Sequence, residues 1–213
     1  MTSLHPLDFD TVIRRRRMCR SFTAKPVQAD VLERALCAAT RAPSAGNSQG
    51  WAFVVLQGDE TSVFWEHQAD PSWLAHPSHP GLLSAPVVVL PLGNRDHYVH
   101  RYAEADKTGS VEAAAQRVDA WQVPYWLVDT AFATMLLLLA AADEGLGALF
   151  FALRHDWPPL AETLGVPDGW EPIGAVALGW PSDDDRTATS AGRGRRPLWQ
   201  VVHMGKWAGR ALD

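Results

Sequence analysis

The chain has 213 residues, long enough for one domain with a sizeable core. Hydrophobic residues make up 47% and charged residues 20%, a globular balance that excludes a disordered chain. A net charge of −5 argues against a nucleic-acid binder, and two cysteines cannot staple a fold of this size and fit a reducing cytoplasm.

Leu7 to Arg16 reads as a short helix with Phe9, Val12 and Ile13 on one face, and the polar start, Met1 to Asp10, lacks the apolar core of a signal peptide. Pro26 resets the chain, and Leu32, Leu36 and Ala39 mark a helix from Val31 to Arg41. Trp51 to Leu56 and Pro86 to Leu92 have the short, β-branched character of buried strands. Between them, Gly58 to Ser84 reads as helix followed by irregular loop. Arg95 to Ala105 and Val111 to Val118 are predicted helices. Pro124 opens a long helix to Glu144, with Gly145 as its C-terminal cap. Within it Ala131 to Ala142 is strongly apolar, but about a dozen residues are too few to span a bilayer. A helix apolar nearly all round demands burial on every side. Ala148 to Leu153 and Ile173 to Gly179 complete the strands, and Ser182 to Gly194 is a charged loop with no core to bury. Strands separated by helices give an α+β or layered α/β domain over residues 1–213, cytoplasmic and independent of membranes.

Two segments carry the chemistry. Arg41-Ala42-Pro43-Ser44-Ala45-Gly46-Asn47-Ser48-Gln49-Gly50-Trp51 is a tight polar loop between helix and strand, where hydroxyls, amides and bare N–H groups can grip the edge of a planar polar ligand. About thirty residues earlier stands Arg14-Arg15-Arg16-Arg17-Met18-Cys19-Arg20-Ser21-Phe22. Together they resemble the FMN-dependent nitroreductase family, whose signature runs Arg-Arg-Ser-x-Arg-x-Phe, Pro-Val, a helix, then Ala-Pro-Ser-x-x-Asn-x-Gln-Pro-Trp. Here these elements are Arg16 to Phe22, Pro26-Val27, the helix, and Ala42 to Trp51. Arg195-Arg196-Pro197-Leu198 with Val201-Val202-His203 extends the likeness towards the C-terminus, and Gly145-Leu146-Gly147-Ala148 falls between.

The resemblance implies a mixed, mostly antiparallel sheet flanked by helices, and a homodimer with the long central helix in its interface. It also implies bound FMN, with hydride passing from transient NAD(P)H to flavin N5 and then to a nitroaromatic, quinone or similar small aromatic acceptor. Arg16, Arg17 and the position of Met18 would contact the phosphate and ring edge, and Arg20 the pyrimidine oxygen. Arg195 or Arg196 would close on the phosphate, with Arg193 a further candidate. Pro43, Ser44 and Asn47 would meet the partner subunit's flavin, Gln49 tying the loop to the strand. Ala152 would donate its N–H to N5, with Phe150 as the wall behind the ring. Arginine suits the phosphate because its planar fork pairs two oxygens at once.

Met18 stands where the family has Ser or Thr, and Gly50 where it has Pro, which is expected to loosen the loop exit. Arg14 and Arg15 read as solvated, because a helix cannot aim four successive side chains at one phosphate. Cys19 lies between arginines, which depress a thiol pKa. No His, Cys and acid spacing suits zinc, and no Gly-x-Gly-x-x-Gly follows a strand. Tyr98, Tyr102, Trp121, Tyr125 and Trp126 fall where the family varies its lid. The scaffold also serves flavin-dependent dehydrogenation or biosynthetic tailoring, and a flavin-free anion-binding or regulatory protein would use the same arginines.

Overall fold

The computed structural model describes residues 8–186 and 189–209, so the expected helix start at Leu7 and part of the 182–194 loop lie outside the described residues. The sheet is built from β1 (Trp51–Gln57), β2 (Val87–Asn94), β3 (Gly147–Phe151), β4 (Trp170–Pro172) and β5 (Ala175–Gly179). Its order is β1-β2-β5-β3, with β4 beside β2, and every named strand pairing is antiparallel. The expectation of a mostly antiparallel sheet flanked by helices holds.

Alternation along the strands separates two cores. Val87, Val89, Val176 and Leu178 face α2 (Ala29–Ala39) and α7 (Tyr125–Asp143). Val88, Leu90, Ala175 and Ala177 face α3 (Thr61–Gln68) and α8 (Trp157–Thr163). Successive side chains on a strand point to opposite faces, and because helices cover both faces β2 is buried along its whole length. The short helices α1 (Phe9–Arg15) and α4 (Pro71–Ala75) lie outside these layers, and α5 (Arg95–Tyr102) and α6 (Val111–Asp119) pack on each other.

The structure departs from the reading in three places. Strand β3 ends at Phe151, short of Leu153. The three-residue β4 and the helix α8 had no readable signal; Pro158 and Pro159 look like breakers, yet they occupy the first turn of α8, where a missing N–H is harmless. Helix α7 forms where the long helix was expected, but at 19 residues it meets the length and composition of a membrane span, which the apolar run alone did not, while its buried stripe packs on α2 and the sheet. It is not covered on every side in one chain. Phe132 and Met135 are 48% and 47% exposed, beside Phe9 and Ile13 of α1 at 72% and 47%.

Candidate functional site

Asp8 caps α1, accepting the Thr11 N–H at 3.0 Å and its hydroxyl at 2.6 Å. The helix stops at Arg15 and Arg16 leaves helical geometry, with φ −59° and ψ 115°. The chain then runs beside β3: Cys19 N–H donates to Ala148 O at 2.9 Å, and Met18 forms a parallel bridge to Ala148. This break turns the chain at Arg16, while Arg15, the last residue of the helix, is exposed as expected. Arg14 pairs outward with Asp10, but Arg15, Arg16 and Arg17 together line a cavity of about 220 Å³. Its remaining wall comes from Leu138, Ala142, the 145–148 turn, Cys19 and Pro181, none of them acidic.

Arg17 has a second commitment, which the sequence did not show. Its guanidinium pairs with Asp185, whose side chain is wholly buried. Asp185 also accepts the N–H groups of Arg20 at 2.7 Å and Ser21 at 3.0 Å. Burial pushes this carboxyl up, but the Arg20 N–H and the Arg17 guanidinium outweigh it and hold the pKa below its ordinary 3.8. The Arg20 side chain folds back onto Met18 O at 3.3 Å. Cys19 is 1% exposed, and burial pushes its thiol up to about 11, so the expected depression by arginines is reversed.

The loop after α2 is a single tight turn. Ser44 is extended, and Gly46, Asn47 and Gln49 take φ of 65°, 56° and 49°. Ser44 Oγ accepts the Gln49 N–H at 2.9 Å, and Asn47 Oδ1 accepts Gln49 Nε2 at 3.3 Å. Gln49 therefore ties the loop to itself rather than to the strand. Two helices hold this turn from beneath. Asp129 Oδ2 accepts both the Ala45 N–H and the Tyr98 hydroxyl, each at 2.8 Å, and Arg101 Nε donates to Gly46 O at 2.9 Å. Burial, and then the neighbouring Asp129, push the Tyr98 hydroxyl pKa far up. At Gly50 an added Cβ would stand 2.5 Å from Tyr98 Cε2, so glycine here is required by close packing and the loop exit is not loosened.

Past β3, Ala152 is exposed, and the turn that follows is fixed by Gln68. Its Oε1 accepts the N–H groups of Arg154 at 2.8 Å and His155 at 3.1 Å, and Asp70 pairs with both side chains. These two N–H groups are committed; those of Ala152 and Leu153 lie upstream. Phe150 faces the α7 side, and Phe151 stacks on Trp65 at 5.9 Å, which in turn stacks on Trp73 at 6.0 Å. The Trp65 indole N–H is buried with no hydrogen-bond partner among the described residues. Arg195 and Arg196 are exposed and outside the cavity of the N-terminal arginines, Arg196 donating to Gln200 O at 2.8 Å. In the expected lid, Trp121 packs edge-on against Tyr98, Tyr102 and Tyr125, and Trp126 Nε1 donates to Glu171 at 3.0 Å. Among the described residues no three His, Cys, Asp or Glu side chains cluster as a metal site.

Residues 13–180 match the model of the Nitroreductase family. An NADPH-dependent oxidoreductase of Staphylococcus aureus is 25% identical over 197 residues, covering 92% of this chain and 72% of that protein. A nitroreductase family protein of Streptococcus pneumoniae superposes with a TM-score of 0.70 at 22% identity, over 92% of this chain and 99% of that one. A protein of Exiguobacterium sibiricum solved in complex with FMN gives 0.69 at 18% identity, over 92% and 96%.

Proposed function

This chain belongs to the nitroreductase family and is an NAD(P)H-dependent oxidoreductase; on that premise we propose that it binds FMN as one domain and works as a homodimer with shared flavin sites. The observation that carries the reading is the cavity of Arg15, Arg16 and Arg17, a cationic recess without acid in its wall, beside the start of β3. A phosphate suits it, since guanidinium forks pair phosphate oxygens. Arg16 holds the phosphate, Arg15 adds charge, and Arg17 braces the motif against Asp185. Pro43 shapes the loop from which Ser44 and Asn47 meet the ring edge. The backbone N–H of Ala152 lies at the strand exit and serves flavin N5, with Phe150 behind the ring, while Met18, bridged to Ala148, and Arg20 are the contacts for the ring edge and the pyrimidine oxygen. Bound FMN would supply the redox chemistry, taking hydride from NAD(P)H and delivering electrons to a nitroaromatic, quinone or similar aromatic acceptor.

The exposed apolar face of α1 and α7 supports a dimer, because a second copy would cover Phe9, Ile13, Phe132 and Met135. The apolar C-terminal segment, with Leu198, Trp199 and Val201 exposed, would then carry Arg195 and Arg196 to the partner's phosphate. The free cysteines fit a reducing cytoplasm. The test is an absorbance spectrum of the purified protein, repeated after incubation with excess FMN. Flavin bands that persist through gel filtration are expected, and a spectrum that stays free of them refutes the reading.

A further inference from the structure

Three residues of the 44–49 turn sit in the left-handed region, and one of them, Gln49, is of a type that rarely does. Such a turn persists only where its surroundings over-determine it. Those surroundings are specific. The Ala45 N–H is held by Asp129 of α7 and the Gly46 carbonyl by Arg101 of α5, so the backbone is gripped at both a donor and an acceptor. Asp129 is only 3% exposed, in the second turn of a mostly apolar helix. A carboxylate is costly there unless its oxygens are hydrogen-bonded, and Ala45 and Tyr98, itself 0% exposed, both bond to it.

We infer that Asp129, backed by Arg101, is the positioning residue for the ring-edge loop: it fixes the backbone of Ala45 and Gly46, and through it the places of Ser44 and Asn47. Neither residue touches the ligand. The inference rests on the flavin reading, and it assigns the fit of the ring, as distinct from that of the phosphate, to α5 and α7. Losing the clamp therefore weakens any flavin, whereas losing Arg16 weakens only a phosphorylated one.

The experiment is a fluorescence titration of apo-protein with FMN and with riboflavin, for the parent, Asp129→Ala, Asp129→Asn, Arg101→Ala and Arg16→Ala, alongside thermal melts. Asp129→Ala is expected to weaken both flavins about tenfold, one decade of affinity, leaving their ratio at the parental value. Asp129→Asn can set its amide oxygen where Oδ2 stands and accept both the Ala45 N–H and the Tyr98 hydroxyl, so it is expected to restore affinity to within about threefold. Arg101→Ala opens no cavity in the core and is expected to weaken both flavins alike. It keeps the test decisive if Asp129→Ala fails to fold. A parent that binds neither flavin refutes the flavin reading and this inference with it. A parent that binds both, with folded Asp129→Ala and Arg101→Ala binding as it does, overturns the loop assignment alone. A loss confined to FMN in these variants, or no rescue by Asn, overturns it as well.

Discussion

Arg16 and Arg17 are neighbours in sequence and line one cavity, yet their replacement by Ala should break different things. Among the described residues Arg16 makes no ion pair and lines only the cavity, so on the proposed reading Arg16→Ala removes a charge-assisted contact to phosphate worth about 1.5–3 kcal/mol. FMN affinity should fall about ten- to a hundredfold, riboflavin affinity and thermal stability staying near parental. Arg17→Ala instead leaves Asp185 buried with two N–H donors and no cation. Stranding a fully buried charge costs about 3–5 kcal/mol; Arg17 is 44% exposed, so solvent screening reduces this to about 1–2 kcal/mol. For a chain of this length that lowers Tm by about 2–8 °C. The folded Asp185 carboxyl titrates below 3.8, so its contribution is present above that pH and lost as pH falls through the lower folded value. The stability gap between parent and Arg17→Ala is thus full at neutral pH and closes below about pH 4. Melts across pH and titrations with both flavins read these effects, with Arg14→Ala as the silent control. An FMN loss at Arg17→Ala equal to that at Arg16→Ala, without loss of stability, would refute the division of roles.

Cys19 is buried with a raised pKa and Cys37 is exposed, so alkylation at pH 8 should label Cys37 in the native protein and both in urea, read by mass spectrometry. Rapid labelling of native Cys19 would contradict its burial. Gly50→Ala forces a methyl onto Tyr98, whose hydroxyl is tied to Asp129, and should cost about 1–3 kcal/mol in denaturant titration; an unchanged midpoint would mean that this contact is slack. Light scattering should give twice 23.4 kDa, and a monomer holding FMN stoichiometrically would contradict shared sites.

What the sequence made legible was set by range. Helices α2 and α7 and strands β1 and β2 follow from local periodicity and from breakers at their ends, and the arginine motif and the 42–51 loop stand out by residue type. Asp185 did not, because its partner Arg17 lies 168 positions away and its loop looks merely charged. Arg15 is exposed as expected, but its place on the cavity rim depends on how the chain beyond the helix packs beside β3, which local sequence does not show. Cys19 was misread because flanking charge is visible in sequence and burial is not. Asp129 carried a signal that went unread: the sole acid in the apolar body of a helix almost always has a buried partner.

The stack of Trp73, Trp65 and Phe151 has an optical consequence. A buried indole that donates no hydrogen bond emits at the blue edge of the tryptophan range, and the exposed Trp199 and Trp207 emit at the red edge. Phe151 immediately precedes Ala152, so the blue chromophore sits beside the strand exit, and near-ultraviolet emission overlaps the absorption of oxidised flavin. Filling of the proposed flavin site is therefore expected to cut intensity chiefly on the blue side, with a small red drift of what remains, whereas unfolding shifts the whole band to the red. The protein's own colour of emission separates an empty fold from a lost one.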